Sequence, residues 1–114
     1  MVPQYKTDLL NITLRNVKED KDTWLRYARE EVFGFVMLYN QPRTAEGEQE
    51  MEKLTRRLID EAVKLSGTYY LPYRLHATKE QMRVAYPAAD SFFLLKKKYD
   101  PEELFQNQFY KVYQ

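Results

Sequence analysis

Apolar and polar residues alternate near the start of the chain and predict a β-strand. Over residues 9–17, Asn11, Thr13 and Arg15 fall on one face, because successive side chains of a strand point to opposite sides of the sheet. The other face carries apolar side chains, from Leu10, Ile12 and Leu14. We therefore expect a strand with one buried face.

A second apolar segment, residues 31–39, has bulky side chains at both odd and even positions. This pattern is typical of a strand that is covered on both faces inside a layered fold. Between the two segments, the polar residues 18–23 predict a surface turn, and residues 24–29 are interpreted as a short strand or edge segment.

The middle of the chain changes to the spacing of an amphipathic helix. Apolar residues recur at intervals of three and four, with charged residues on the remaining faces. Thr44 can cap this helix, which is expected to extend to about Ser66 and to be closed by Gly67. The apolar stripe consists of Met51, Leu54, Leu58, Ala62 and Leu65.

The last third of the chain predicts short elements. Thr78 and Gln81 have the spacing of a capping box, which predicts that a helix starts after Thr78. Pro87 is placed to open another helix. The expected elements are a short strand at residues 68–71, a helix toward residue 86, a helix toward residue 99 and a helical start at residues 100–103.

This order of elements predicts an α+β fold in one domain of 114 residues. We expect an antiparallel sheet, with one long amphipathic helix and short C-terminal helices packed on one of its faces. Eleven of the 17 aromatic residues lie between Tyr69 and Tyr113, more than one thin layer can easily cover. This excess indicates that the end of the chain packs onto something else.

Composition narrows the function classes. Eighteen basic and 17 acidic residues leave a formal charge of +1, which disfavours nucleic acid and anionic membranes as partners. The absence of cysteine excludes disulfides, thiolate metal sites and cysteine nucleophiles. The longest apolar run, residues 32–39, is far shorter than the roughly twenty residues of a membrane span. Because the start also lacks an apolar signal segment, a cytoplasmic location is expected.

Motifs for self-contained catalysis are missing. The three glycines are widely separated and form no phosphate-binding loop. A single histidine cannot form a histidine cluster for a metal, and no carboxylate pair lies in an apolar segment. We therefore expect no metal site and no hydrolase. The basic residues 96–98 are better explained as a solvated helix face than as an anion site.

Residues 67–81 have the composition of a binding site, because tyrosines, an arginine and the only histidine lie together between two helical stretches. His76 could bind a substrate hydroxyl or a backbone carbonyl, and Arg74 could pair with a ligand or with an acidic residue. Tyr70 and Tyr73 offer both apolar area and a phenol. The polar row of Asn11, Thr13 and Arg15 could likewise line a concave sheet or face solvent.

Several motifs occur in a fixed order along nearly the whole chain: NITLR, a helix ending in LSG, TYYLPYRLHAT, AYP and KYDPEELFQNQF. In this order the chain resembles the C-terminal part of FAD-linked oxidases of the vanillyl-alcohol-oxidase type. It is similar to aldonolactone oxidases and decaprenylphosphoryl-ribose oxidase within that group. The resemblance implies part of a cap domain, which lays an antiparallel sheet over the flavin ring. Residues 99–114 then form a tail that packs on a flavin domain or another partner.

The resemblance also implies roles for single residues. Thr13 and Arg15 match a pair of substrate-contacting residues on a cap-domain strand. Tyr73, or else His76, matches a catalytic position near the flavin where several relatives carry a lysine. Asn107 matches a terminal segment that lies against the flavin domain, and so is expected to contact the cofactor. The remaining substrate-binding candidates are Asn11, Tyr70 and Arg74.

The implied activity is the oxidation of a CH–OH group of a sugar, polyol or aldonolactone, with hydride transfer to FAD. FAD is expected of the complete enzyme and not to be bound by this chain alone, so the isolated chain is expected to be inactive. The expected partners are a flavin-binding domain or subunit, a sugar-like substrate and a second copy of the chain. The alternative is a stand-alone α+β interaction or ligand-binding module that reuses the same architecture.

Overall fold

A computed structural model describes residue 5 and residues 7–114 of the chain. Within that part, the fold is α+β, with one two-stranded antiparallel sheet and four helices. The predicted fold class is confirmed at this level. The elements are β1 (Asp8–Val17), β2 (Val32–Asn40), α1 (Ala45–Lys64), α2 (Lys79–Ala85), α3 (Ala89–Tyr99) and α4 (Gln108–Tyr113).

The strands β1 and β2 form the sheet, with Asp8 opposite Asn40 at one end and Val17 opposite Val32 at the other. A β-bulge interrupts the register between Leu9 and Asn11, so that Leu10 has no partner on β2. The bulge shifts the alternation of β1 by one residue. As a result, Asp8 lies on the same face as the row of Asn11, Thr13 and Arg15, and Leu9 lies on the face of Ile12 and Leu14.

Apolar side chains are exposed on both faces of this sheet. Leu14 is 56% exposed and Phe35 is 62% exposed on one face, and Leu38 is 58% exposed on the other. The expectations of one buried face for the first strand and of two covered faces for the second are therefore wrong for the described chain. The physical reason is that α1 to α4 pack mainly on each other, instead of on one face of the sheet as expected.

The long helix α1 starts as predicted. The side chain of Thr44 accepts a hydrogen bond of 3.1 Å from the Gly47 backbone N–H. Only glycine fits at Gly47, because a Cβ there would lie 2.4 Å from the carbonyl oxygen of Pro42. At the other end, the residue with positive φ is Ser66 (60°) and not Gly67, whose N–H still donates to the carbonyl of Ala62.

The capping box that predicted α2 is present. The Thr78 side chain accepts from Gln81 N at 3.1 Å, and the Gln81 side chain accepts from Thr78 N at 3.0 Å. The next helix, α3, follows as expected, although it begins at Ala89, two residues after Pro87, and has no side-chain cap.

Three predicted elements are not formed. Residues 24–29 and 68–71 contain turns and irregular structure in place of strands, and the Thr68 hydroxyl instead bonds the Tyr27 carbonyl at 2.5 Å. Residues 100–103 form a turn and no helix, because the Asp100 carboxylate accepts hydrogen bonds from the two backbone N–H groups of residues 104 and 105. Helix α4, which follows this turn, was not predicted.

The helices α1 to α4, here called the helical body, enclose one apolar core. Ile59 contributes from α1, and the C-terminal α4 contributes Tyr110 and Tyr113. The tail beyond residue 99 thus completes the chain's own core, while Phe105 in the turn before α4 is 81% exposed. The other buried members are Ala77, Met82, Ala85, Tyr86, Ala89 and Phe93.

Candidate functional site

The connection between α1 and α2 carries a row of exposed aromatic rings. Tyr70 makes edge contacts with Tyr73 at 4.8 Å and with Tyr27 at 5.8 Å between ring centroids. Tyr73 lies at the exposed end of this group and is 69% exposed. These three residues, here called the tyrosine row, present phenol groups and ring faces to solvent beside Arg74.

A second group of side chains in the same region is bonded internally. Glu48, in the first turn of α1, accepts from Arg74 at 2.8 Å and from Gln41 at 3.1 Å. Arg74 also donates to the Gln41 side chain at 3.0 Å. Glu48 further contacts His76 Nε2 at 2.8 Å. This Glu48 network ties the end of β2, the start of α1 and the tyrosine-bearing connection to one another.

Both ring nitrogens of His76 are engaged inside the chain. Nε2 faces the Glu48 carboxylate, and Nδ1 lies 3.1 Å from the Thr55 hydroxyl. The Thr55 hydroxyl donates its hydrogen to the Met51 carbonyl. Its oxygen can therefore only accept a hydrogen bond from Nδ1. Each ring nitrogen thus has a polar partner inside the chain. With 6% exposure, His76 anchors the connection to α1 in this arrangement.

The same contacts affect the acidity of Glu48. The hydrogen bond from His76 is the main cause that holds the pKa of Glu48 below its ordinary value of 4.5, with Gln41 and Arg74 acting in the same direction. Burial opposes them by raising the pKa. Glu48 therefore stays a carboxylate at neutral pH and can hold both cationic and donor groups in place.

The polar row of β1 is separate from the connection. Asn11, Thr13 and Arg15 are exposed and share one face of the sheet. Among the described residues, no hydrogen bond or ion pair joins this row to Tyr70, Tyr73 or the Glu48 network. The structure therefore joins Tyr70 to Tyr73 by a ring contact and Arg74 to His76 through Glu48, and none of the described bonds links the strand candidates to them.

Asn107, the expected cofactor contact, has a structural role in this chain. Its side chain accepts from the Tyr110 backbone N–H at 2.8 Å and caps α4. Nearby, Glu103 accepts a hydrogen bond from the Tyr110 phenol, which raises the pKa of Tyr110 to about 12. Lys96 lies 4.2 Å from the centre of the Tyr110 ring and pairs with Asp100 at 2.8 Å.

Two shallow cavities lie on the helical body. One, of ≈ 290 Å³, is lined by residues of α3 and of the segment that leads into α4, including Asn107. The other, of ≈ 250 Å³, lies between α3 and the C-terminus beside the Arg83–Asp90 ion pair. Both are below the roughly 300–1,000 Å³ of pockets that enclose drug-sized ligands. Neither contains a residue of the tyrosine row.

Sequence reasoning missed Glu48, Thr55 and Tyr27. Glu48 and Thr55 were visible in principle, because they extend the face of the buried Met51 at intervals of three and four along α1. A carboxylate and a hydroxyl at the edge of an apolar stripe indicate polar groups with partners inside the fold. No sequence signal marks Tyr27, which joins the row through the fold alone.

Two further properties concern the described residues. Across residue 5 and residues 7–114, no group of three or more histidine, cysteine, aspartate or glutamate side chains is arranged to hold a metal ion. In the same part of the chain, no helix has both the length and the apolar composition needed to span a membrane.

In comparisons with known proteins, no family model, no curated protein and no solved structure matches the chain.

Proposed function

We propose that this chain is the substrate-side part of an FAD-linked oxidoreductase that oxidises a CH–OH group of a sugar, polyol or aldonolactone. The proposal combines the ordered motifs that resemble the C-terminal part of such oxidases with one structural observation. The sheet leaves apolar side chains exposed on both faces, with Leu14 and Phe35 on one and Leu38 on the other. A sheet of this composition is suited to lie inside a larger assembly.

The site in this proposal is the tyrosine row with Arg74. Tyrosine rings offer flat apolar surface for a sugar ring, and their phenols can exchange hydrogen bonds with its hydroxyl groups. Tyr73 is the most exposed member of the row. In the proposal its phenol oxygen accepts the proton of the substrate hydroxyl group while its own phenol proton passes to water. Arg74, the next residue, is held by one carboxylate oxygen of Glu48, and His76 acts as a positioning residue because it contacts the other oxygen.

In this proposal, FAD is not bound by this chain alone. The sequence contains no glycine-rich phosphate loop, and neither of the two cavities is lined by a residue of the tyrosine row. FAD supplies hydride acceptance in enzymes of this class. In the proposal, a flavin-binding domain or subunit holds FAD, while this chain binds and orients the substrate.

The test mixes the purified chain with FAD, first alone and then with a flavin-binding domain of an FAD-linked oxidase. We expect no stoichiometric flavin binding by the chain alone. With the flavin domain present, sugars or aldonolactones should bleach the flavin absorbance. Stoichiometric FAD binding and substrate-dependent bleaching by the chain alone would contradict the proposal, as would a flavin domain that neither binds the chain nor gains activity from it.

A single phenol tests the assignment of Tyr73. In the reconstituted pair, Tyr73→Phe should lower kcat about a hundredfold or more, because it removes the proton-transferring group and leaves the ring. Tyr99→Phe is the matched control, since Tyr99 is also an exposed tyrosine, located at the end of α3. Equal activities of the two variants would remove Tyr73 from the chemistry.

A second candidate is a stand-alone interaction module, which the exposed sheet also favours. The two candidates differ in flavin dependence. An interaction module should bind its partner equally well with and without FAD on that partner. An oxidase part should have a neighbouring reading frame that encodes the flavin-binding half, whereas an isolated small gene would support the module.

A further inference from the structure

The outer edge of β1 is open in the described structure. The sheet contains only β1 and β2, so each strand has one edge without a strand neighbour. Every residue from Leu10 to Asn16 is exposed, so no other described segment covers this edge. An isolated pair of strands is marginally stable in water, and a further paired strand stabilises it.

Charge distinguishes the two open edges. β2 contains no charged residue in Val32–Asn40 and so has little to fix the register of an added strand. β1 contains one acid and one base, Asp8 and Arg15, near its two ends. The bulge at Leu10 places both charges on the same face of the sheet. A strand with opposite charges at its two ends is complementary to an antiparallel copy of itself.

We propose that two copies of the chain pair through their β1 edges, antiparallel about a two-fold axis at Ile12, and form a four-stranded sheet. With Ile12 opposite Ile12 of the second copy, Asn11 lies opposite Thr13. Because each strand carries the bulge at Leu10, the next pairs are Leu9 opposite Leu14 and Asp8 opposite Arg15. Each of these pairs occurs twice, as an isologous interface requires.

Every pair in this register is chemically matched. The two Asp8–Arg15 pairs bring opposite charges together, and Asn11 and Thr13 can hydrogen-bond across the strands. On the other face, Leu9, Ile12 and Leu14 of both copies form one apolar strip between the Phe35 side chains of the two β2 strands. The polar row thus gains a role that requires neither flavin nor substrate, and the sheet faces stay available to another partner.

Charge exchange tests the register. Sedimentation of the full chain over the micromolar range should show a dimer. Arg15→Asp or Asp8→Arg alone should weaken it about tenfold, since two attractions become two repulsions. The double variant Asp8→Arg with Arg15→Asp should restore the affinity to within about twofold, because both pairs form again. Both side chains are exposed, so the variants should fold normally by circular dichroism.

Cross-linking tests the edge independently, because the natural chain contains no cysteine. Ile12→Cys should form a disulfide-linked dimer on oxidation, since residue 12 meets its own copy at the two-fold axis. Leu38→Cys on β2 is the matched control, with similar exposure and no copy opposite it. A monomer throughout the concentration range, failure of the double variant to restore pairing, or faster cross-linking at residue 38 would each overturn the proposal.

Discussion

The same kind of apolar side chain is buried in the helical body and exposed in the sheet. Phe93 of α3 is 6% exposed in a core that α1, α2 and α4 close around it, whereas Phe35 of β2 is 62% exposed. The helical body contains enough elements to cover its own apolar surface. The two strands contain a larger share of apolar residues than the helices but have too few neighbours to cover them. The difference indicates that the helical body buries its own apolar side chains, whereas the sheet leaves its apolar side chains uncovered.

The junction between the two regions is held by polar contacts. Glu48 and His76 fasten the tyrosine-bearing connection to α1 at the end of β2. Arg56 adds a hydrogen bond of 2.8 Å to the His76 carbonyl. Such a network gives a fixed orientation without requiring a large apolar contact. It fixes the connection that carries Tyr70 and Tyr73 beside the end of β2 and the start of α1.

The same substitution in the two regions gives the largest expected contrast. Phe93→Ala should lower the free energy of unfolding by about 3–5 kcal/mol, because it leaves a cavity in a closed core. Phe35→Ala should change it by less than about 1 kcal/mol, because the ring is already largely in water. Urea denaturation of both variants measures the difference. Equal losses would show that the sheet is as well covered as the body.

Removal of the anchor at the junction should have an intermediate effect. His76→Ala leaves the Thr55 hydroxyl and the Glu48 carboxylate without their ring partner, which should cost about 1–3 kcal/mol. Arg74→Ala removes a half-exposed ion pair to the same Glu48 and should cost less than about 1 kcal/mol. If thermal unfolding shows a larger loss of stability for Arg74→Ala than for His76→Ala, the buried His76 ring is not the main anchor.

The cap of α4 tests whether the end of the chain belongs to the helical body. Asn107→Ala should cost about 1 kcal/mol through loss of the hydrogen bond to Tyr110 N–H, whereas Asn107→Asp retains the cap and should be nearly neutral. Denaturation followed by fluorescence measures the stability of the two Asn107 variants. No destabilisation by Asn107→Ala would mean that the tail contributes little to the body and is held mainly by a partner.

The smallest expected effect is on the pH dependence of stability, which Glu48 at the same junction should alter in acid. Because the pKa of Glu48 is lower in the folded chain than its ordinary value of 4.5, its contribution to stability is present above the unfolded-state pKa. That contribution is lost as pH falls through the folded-state value. Glu48→Gln should therefore flatten the decline in melting temperature below about pH 4.5, whereas Glu46→Gln, two residues earlier in the same first turn of α1, should leave it steep.

The local signals that predicted the helices were reliable because they depend on near neighbours. Thr44 and the Thr78–Gln81 capping box predicted the starts of α1 and α2 from bonds that lie within four residues. The end of α1 was predicted less well, since Ser66 takes the left-handed conformation in place of Gly67. Helix α4 was missed because six residues give too little periodicity to distinguish a helix from a loop.

Burial and side-chain partners depend on the rest of the fold and could not be predicted in the same way. The alternation in β1 correctly separated the two faces from Asn11 to Arg15, but it missed the bulge at Leu10. It also cannot show whether a covering layer exists. The Glu48–His76 contact joins residues 28 apart in the sequence. Composition predicted a site-like connection there, but only the fold shows that His76 is anchored while Tyr73 is exposed.

Hydrogen–deuterium exchange tests the central contrast most directly. On dilution of the chain alone, amides of α1, α2 and α3 should keep constant protection, because the helical body is closed within one copy. Amides of β1 should lose protection as the chain is diluted and regain it at high concentration, and a flavin-binding domain should protect the sheet further. Strand amides that remain as protected as those of α1 at the lowest concentration would contradict the account, because the sheet would then already be stable without a partner.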